Sequence, residues 1–164
     1  MTDSLIIFDH TKATLQDWQC VNDGVMGGVS QSRVSLDKEH TLVWEGKVSL
    51  ENNGGFASVR YTSPDQNLSA YSGISLRLCG DGKIYKINLA NSTSSGSPRF
   101  QARFTTSGNP QVVYIPFSML EASIRGRKVD AVFDPSRLQL VGFLIADQQP
   151  GPFRLSVNSI SAYV

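Results

Sequence analysis

The sequence predicts an all-β protein folded as an antiparallel two-sheet sandwich, and three observations lead to this prediction. Apolar and polar residues alternate along most of the chain, and turn-forming residues separate the alternating runs. In addition, no segment shows the roughly ten residues of 3.6-residue periodicity that a helix needs. A two-residue period places one set of side chains in a core and the other set on the opposite face of a sheet.

Each predicted strand is a short run rich in β-branched, aromatic or alternating apolar residues. In chain order these runs are 5–8, 29–36, 43–50, 56–61, 74–79, 84–89, 100–105, 112–116, 138–146 and 153–164. About ten short strands at this spacing are typical of a sandwich or barrel. Asn53-Gly54-Gly55 and Gly80-Asp81-Gly82 are turn signals, and the run 116–120 predicts one helical turn. The first and last strands are expected to lie near each other.

Length and charge limit the classes of protein. The 164 residues suit one domain spanning 1–164, with 15 Lys and Arg against 14 Asp and Glu. A net charge of +1 gives no reason to expect a nucleic-acid partner. No apolar run approaches the roughly 20 residues that span a bilayer, so membrane insertion is not expected. Met1-Thr2-Asp3-Ser4 resembles neither a signal peptide nor a transit peptide, which predicts a cytoplasmic location.

Catalytic and metal-binding patterns are scarce. Cys20 and Cys79 stand in apolar runs, which predicts buried, reduced thiols. The two histidines lie in polar, turn-like surroundings, and no nucleophile elbow or zinc spacing is present. We therefore expect no catalytic residue, no metal and no cofactor. Trp18 and Trp44 could form a sugar-stacking platform, but such residues more often fill a sandwich core, which is our prediction for both.

The glycine-rich run Asn22–Ser30 is the first candidate for a binding site. Asn22 and Asp23 precede Gly27 and Gly28, a composition that demands unusual backbone angles or close backbone approach. A phosphate-binding loop is a poor interpretation because a strand, not a helix, is predicted to follow. Two interpretations stay open: a binding loop, or a structural turn in which Asn22 and Asp23 bond their own backbone.

Arginines and one acid supply the second and third candidates. The second is the basic run Arg125-Gly126-Arg127-Lys128, with Arg60 and Arg99 elsewhere in the chain. Paired arginines around a glycine can hold a carboxylate or phosphate in bidentate fashion. The alternative is a solvated charged loop. Asp147 ends the apolar run 140–146, where it could bind a sugar hydroxyl, pair with an arginine or cap a turn; the pair or the cap is the favoured interpretation.

Several of these motifs together resemble one known family. They occur in order along nearly the whole chain: Trp18-x-x-Val21-Asn22-Asp23-x-Val25-Met26-Gly27-Gly28-x-Ser30, Gly54-Gly55-Phe56-Ala57-Ser58-Val59-Arg60, Ile115–Ser118, Arg125–Arg127, Val141–Asp147 and Gly151–Phe153. This set resembles the complex I intermediate-associated protein family. The resemblance implies a galactose-binding-domain-like jelly roll. It also implies a role in assembly, since mitochondrial members of that family assist the assembly of respiratory complex I.

The function predicted first is a non-catalytic binding module, a protein-binding assembly factor or chaperone that holds a partner subunit or an assembly intermediate. The alternative is a module that binds a carbohydrate or another small ligand. We predict that the binding residues converge at one end or edge of the sandwich. In the competing account the loop is a structural plug, with Asp23 paired to Arg60. The predicted binding residues are Asn22, Asp23, Met26, Gly27, Gly28, Arg60, Arg125, Arg127 and Asp147.

Overall fold

The computed structural model describes residues 4–12, 14–22, 30–51, 55–62, 66–94 and 96–164. Within these ranges the chain forms thirteen β-strands and no α-helix. The strands pair into two sheets, and every pairing between described strands is antiparallel. The predicted antiparallel two-sheet sandwich is therefore confirmed.

One sheet, here called the front sheet, has the strand order β11-β10-β8-β7-β12-β5-β2. Its strands are β2 (Trp18–Asn22), β5 (Ala57–Tyr61), β7 (Ile84–Ala90), β8 (Arg99–Thr105), β10 (Glu121–Ile124), β11 (Arg127–Lys128) and β12 (Leu140–Ile145). The strands at its two edges are therefore β11 and β2.

The other sheet, here called the back sheet, has the order β3-β4-β13-β6-β9, and β1 pairs with β13. Its strands are β1 (Ser4–Phe8), β3 (Gln31–Leu36), β4 (Leu42–Val48), β6 (Gly73–Cys79), β9 (Pro110–Pro116) and β13 (Gly151–Tyr163). Ser4 pairs with Tyr163, which confirms that the first and last strands are neighbours.

The core lies between the two sheets and is filled by the inward side of each alternating run. In β7, for example, Tyr85, Ile87 and Leu89 are buried in the core. Trp18 of the front sheet packs against Phe8 of the back sheet and against Tyr61, with ring centroids 5.1 Å and 5.0 Å away. Aromatic pairs at this distance add to the stabilisation from area burial.

Both tryptophans fill the core, as predicted, with Trp18 5% exposed and Trp44 fully buried. Cys20 and Cys79 are free thiols, but each is only half-buried, so the prediction of full burial is wrong. Cys20 packs on the core from an edge strand, which leaves part of it accessible. Burial nevertheless raises the pKa of the Cys20 thiol.

Three strands were not predicted, and all three belong to the front sheet. They are β2 at one edge and the β10–β11 hairpin at the other. The predicted loop around Arg125 is therefore the tip of a hairpin, because Ile124 pairs with Arg127. The predicted helical turn after β9 is present as a 3-10 turn, Phe117–Met119. The described ranges hold no helix with the length and apolar composition to cross a membrane.

Candidate functional site

A groove of about 1100 Å³ crosses the outward face of the front sheet. It extends from the residue before β5, across β12, β7 and β8, to β10 and the β10–β11 hairpin. Strand alternation explains its lining, because residues between the core positions of each strand point away from the core. Phe56, Leu144 and Ala146 line one end of the groove, and Met119 adds an apolar side chain.

The register of the strands aligns polar residues across the front sheet. Arg60 of β5 pairs with Gly142 of β12, which pairs with Asn88 of β7. Asn88 in turn pairs with Gln101 of β8, and Gln101 pairs with Glu121 of β10. Residues opposite each other in neighbouring strands share a face of the sheet. One continuous row therefore runs from Arg60 to Glu121.

Position 142 in this row requires glycine because strand β5 approaches it closely. A Cβ added there would overlap the carbonyl oxygen of Val59 and would lie 3.1 Å from the Cα of Arg60. Both atoms belong to the backbone of β5, which its ladder hydrogen bonds hold in place. Glycine at this position leaves the centre of the outward face without a side chain.

The hairpin tip brings Arg125 to the groove. Arg125 and Gly126 connect paired residues in a two-residue turn, with φ of 50° and 80°. Positive φ at both positions is the geometry of a type I′ hairpin, which favours glycine, asparagine or aspartate. Arginine at the first position is therefore unusual, and both Arg125 and Gly126 line the groove.

Asp147 forms ion pairs with two cationic side chains at the rim of the groove. Its Oδ1 lies 3.0 Å from Nη2 of Arg103 and 3.8 Å from Nζ of Lys86. Nε of Arg103 also donates to Oδ2 of Asp147 at 3.1 Å. The Asp147 carboxylate therefore binds the Arg103 guanidinium in bidentate fashion, and this geometry fixes the orientation of the two groups in addition to their charge attraction. Asp147 adopts a φ of 62° and the following Gln148 a φ of 57°.

Cations predominate on this face. Lys86, Arg103, Arg125 and Lys128 line the groove, where Glu121 is the acidic lining residue among those described. Within the described part of the chain, Arg125 and Lys128 form no ion pair.

Arg60 and Arg99 lie on the outward side of β5 and β8, as their positions between core residues show. Burial and the positive charge of Arg60 lower the pKa of Arg99. Nη1 of Arg99 is anchored by donating to the Ser97 hydroxyl at 3.2 Å. Crowding of these two like charges adds to the positive potential of the front face.

Three polar side chains in the groove are free to bind a ligand. Gln101, Glu121 and Ser123 line the groove, and in the described part of the chain their side chains form no hydrogen bond or ion pair. An amide, a carboxylate and a hydroxyl supply both donors and acceptors. The groove lining that the structure describes contains Phe56 but neither tryptophan nor tyrosine.

The predicted binding residues divide into three groups. Arg60 and Arg125 lie on the front face, and Asp147 forms the ion pair with an arginine that the sequence favoured. Arg127 is exposed and pairs with Ile124. Its neighbour Lys128 lines the groove, so Arg127 lies on the opposite side of the hairpin. The predicted residues Asp23, Met26, Gly27 and Gly28 lie outside the described residues, and of Asn22 only the backbone is described.

The predicted convergence of the Asn22–Ser30 loop, Arg60 and the Arg125–Arg127 loop at one end or edge of the sandwich stays a prediction, because most of the first loop lies outside the described residues. Asn22 ends β2, at one edge of the front sheet, and Arg125 lies in the hairpin at the other edge. Arg60 and Arg125 lie on the outward face of the front sheet, whereas Arg127 lies on the opposite side of the hairpin. Whether these residues bind a partner stays a prediction.

Sequence reasoning missed Lys86 and Arg103 as residues of the groove. A signal was present, because a lysine and an arginine occupy the outward positions of β7 and β8, which otherwise alternate with buried apolar residues. Lys86 and Arg103 pair directly across the two strands. Like charges opposite each other repel, so an acid must lie near them. Asp147, distant in sequence, supplies it.

Two further observations concern catalysis and metals. Nowhere among the described residues do three or more His, Cys, Asp or Glu side chains cluster as a metal site. His10 and His40 are both exposed on the surface. The described lining of the groove offers charged side chains and hydrogen-bonding groups.

Comparison with known sequences gives one family. The family model described as complex I intermediate-associated protein 30 matches residues 7–157. A mouse protein named complex I intermediate-associated protein 30, mitochondrial, is 25% identical over 93% of this chain and 53% of its own length. A Caenorhabditis elegans protein, named as a probable member with the same mitochondrial designation, is 28% identical over 85% of this chain and 42% of its own. The chain thus spans about half the length of these relatives.

A Schizosaccharomyces pombe protein described as uncharacterized is 29% identical, over 90% of this chain and 78% of its own length.

The mitochondrial names of the mouse and nematode relatives contradict the predicted cytoplasmic location, and that prediction is wrong. It depended on the composition of a few terminal residues, whereas the similarity extends over the folded strands.

Comparison with solved structures identifies the same fold in carbohydrate-binding modules. The family 11 module from Clostridium thermocellum, solved with a mixed-linked β-1,3-1,4 tetrasaccharide, has a TM-score of 0.73. It is 15% identical, over 99% of this chain and 96% of that chain. An agarase, AgWH50C, has a TM-score of 0.67 at 13% identity, over 99% of this chain and 25% of that chain. This likeness confirms the predicted galactose-binding-domain-like jelly roll.

Proposed function

Because the chain belongs to the complex I intermediate-associated protein 30 family, we propose that it is a non-catalytic assembly factor that binds a protein partner in the groove of the front sheet. The partner is a subunit or an assembly intermediate, of the kind named in its mouse and nematode relatives. The groove positions the partner and performs no chemistry on it.

The observation that carries this proposal is the cationic, mixed-polarity lining of the groove. Four basic residues line it, while Phe56, Met119, Leu144 and Ala146 give it apolar surface. Protein interfaces combine an apolar contact surface with arginine anchors and satisfied polar groups. Among the described residues, Arg125 and Lys128 have no ion-pair partner. The groove therefore suits a partner whose surface carries acidic groups.

Carbohydrate binding is the second candidate, and the free side chains of Gln101, Glu121 and Ser123 favour it. These groups could exchange hydrogen bonds with sugar hydroxyls. A neutral sugar, however, is commonly held by stacking on tryptophan or tyrosine, and neither residue lines the groove as described. A neutral sugar also makes no use of the excess of cations, which is why protein binding is the first candidate.

The test compares Arg103→Glu with a matched substitution on the back sheet. Arg154 provides the match, since its side chain is 61% exposed and pairs with Glu45, while Arg103 is 63% exposed and pairs with Asp147. Both substitutions change the net charge equally, and each removes one of the two cations that pair with a carboxylate: Asp147 keeps Lys86 and Glu45 keeps Arg33. Each protein is immobilised, and bound proteins from a solubilised extract of the native host are measured by quantitative mass spectrometry.

We expect Arg103→Glu to lose the protein partner that wild type and Arg154→Glu both capture, with all three melting within about 2 °C of one another because exposed pairs contribute little to stability. Equal capture by both variants would show that the groove is not the protein-binding surface. In parallel, retardation of wild type on a gel containing β-1,3-1,4 glucan, abolished by Arg103→Glu, would support the carbohydrate candidate against the first.

A further inference from the structure

Resting on the proposed function, we propose that the groove binds an extended acidic segment of the partner protein, and that Asp147 competes with that segment for Arg103 and Lys86. Asp147 is thus a competitor within the chain that weakens binding at the site. The inference follows from the charge of the groove, from the geometry of Asp147 and from the dimensions of the groove.

The charge of the groove selects an acidic occupant. The chain as a whole carries a net charge of +1, yet Lys86, Arg103, Arg125 and Lys128 line the groove against Glu121. Basic residues are therefore concentrated on this face rather than distributed evenly. A concave surface of one sign raises the local concentration of oppositely charged ligands and accelerates their association.

Asp147 shows how a carboxylate is held there. Its two oxygens accept from Nη2 and Nε of Arg103, at 3.0 Å and 3.1 Å, and Nζ of Lys86 lies 3.8 Å from Oδ1. This is bidentate recognition of a carboxylate, the mode in which arginine discriminates by geometry as well as charge. A carboxylate from the partner would find the same two cations arranged to receive it.

Partial exposure of Asp147 makes this contact exchangeable. Asp147 and Gln148 are successive non-glycine residues with φ of 62° and 57°. Left-handed backbone is unfavourable for residues with a Cβ, although aspartate tolerates it better than most. With its side chain about one-third exposed, Asp147 can leave Arg103 without opening the core. A partner carboxylate can then replace it.

The dimensions of the groove fit an extended peptide. From β5 to β10 the groove crosses four strand spacings, a distance of about 19 Å at roughly 4.8 Å per spacing. An extended chain rises about 3.3 Å per residue, so the groove covers about six residues. The cations are distributed along it, with Lys86 and Arg103 near the middle and Arg125 with Lys128 at the hairpin.

The other lining groups favour a peptide over a simple polyanion. Glu121 is an acceptor, which suits a backbone N–H but repels phosphate. The amide of Gln101 can donate to a backbone carbonyl. Phe56, Met119 and Leu144 offer apolar contacts that the carbon atoms of a peptide can make and a polyphosphate chain cannot.

The probe is a fluorescein-labelled peptide of about eight residues, alternating glutamate and serine, with both ends blocked. Its binding to the whole protein is measured by fluorescence anisotropy at low and at physiological salt. The informative variant is Asp147→Asn, because asparagine tolerates the same left-handed backbone and removes only the charge. Glu45→Gln is its matched control, since Glu45 lies between Arg33 and Arg154 on the back sheet.

We expect Asp147→Asn to tighten the dissociation constant about two- to fivefold, the range equivalent to one exposed ion pair. Glu45→Gln should bind as wild type does, although it changes the net charge equally. Affinity should fall with added salt, as for any contact between exposed charges. Unchanged or weaker binding by Asp147→Asn would overturn the competitor role.

Two further outcomes separate this inference from the proposed function. If the peptide binds neither wild type nor Asp147→Asn while Arg103→Glu still loses the captured partner, the acidic occupant is wrong and the groove remains the protein-binding surface. If inorganic polyphosphate binds as tightly as the peptide at equal charge, the site selects charge alone and the peptide is wrong as its occupant.

Discussion

Substitution of Gly142 by alanine tests the packing that forms the floor of the front face. In a strand with free space, alanine in place of glycine stabilises a protein by about 0.4–1 kcal/mol. At Gly142 the added Cβ would overlap the Val59 carbonyl oxygen, and that atom belongs to the backbone of β5. Overpacking of this kind costs about 1–3 kcal/mol, because the strands must separate and weaken their ladder.

The predicted effect is a melting temperature about 3–9 °C below that of wild type, at about 3 °C per kcal/mol for a chain of 164 residues. Thermal unfolding followed by far-UV circular dichroism measures it. Gln101→Ala, on the same face, is the control and should change the unfolding free energy by less than about 0.5 kcal/mol. A Gly142→Ala protein as stable as wild type, or more stable, would refute the close approach of β12 and β5.

Three further predictions concern the core and the titrating groups. Trp44→Ala should cost about 3–5 kcal/mol in urea unfolding, because Trp44 is fully buried; Val132→Ala, at an 89% exposed site, should cost less than about 0.5 kcal/mol. Burial, and next the charge of Asp81, raise the pKa of Tyr85, so its contribution to stability is present below the ordinary tyrosine pKa of about 10 and is lost at higher pH. Tyr85→Phe should flatten that alkaline decline in melts recorded across pH, and an unchanged slope would contradict the assignment. Iodoacetamide should modify Cys20 more slowly in native than in unfolded protein at about pH 8, because burial raises the thiol pKa; equal rates by mass spectrometry would contradict this.

Strands that alternate between core and solvent could be predicted from the sequence. In β7, Tyr85, Ile87 and Leu89 are buried while Lys86 and Asn88 lie between them, so the local pattern alone specifies the strand. The same pattern places the inward side chains of β8. Such strands carry the information for their structure within seven residues.

The β10–β11 hairpin could not be predicted in this way. Only Ala122 of β10 is buried, so the run has almost no apolar period. Its pairing is determined by the edge of β8, which lies at a distance in the chain. The hairpin turn also begins with Arg125 in place of the asparagine or aspartate that signals a type I′ turn.

The groove could be predicted only in part, because long-range register assembles it. The sequence predicts Arg60, Arg125 and Asp147 as binding residues from their residue type and their neighbours. Lys86 and Arg103 become partners of Asp147 only once β7, β8 and the end of β12 lie side by side. No local pattern encodes that arrangement.

Site-specific photocrosslinking in the native host shows whether the partner protein binds the front face. A benzophenone amino acid replaces Gln101 in the groove or, as the matched site, Ser75 on the outward side of the back sheet; both positions are half-buried. We expect a discrete protein adduct from position 101 and none from position 75. An adduct from position 75 with none from position 101 would contradict it.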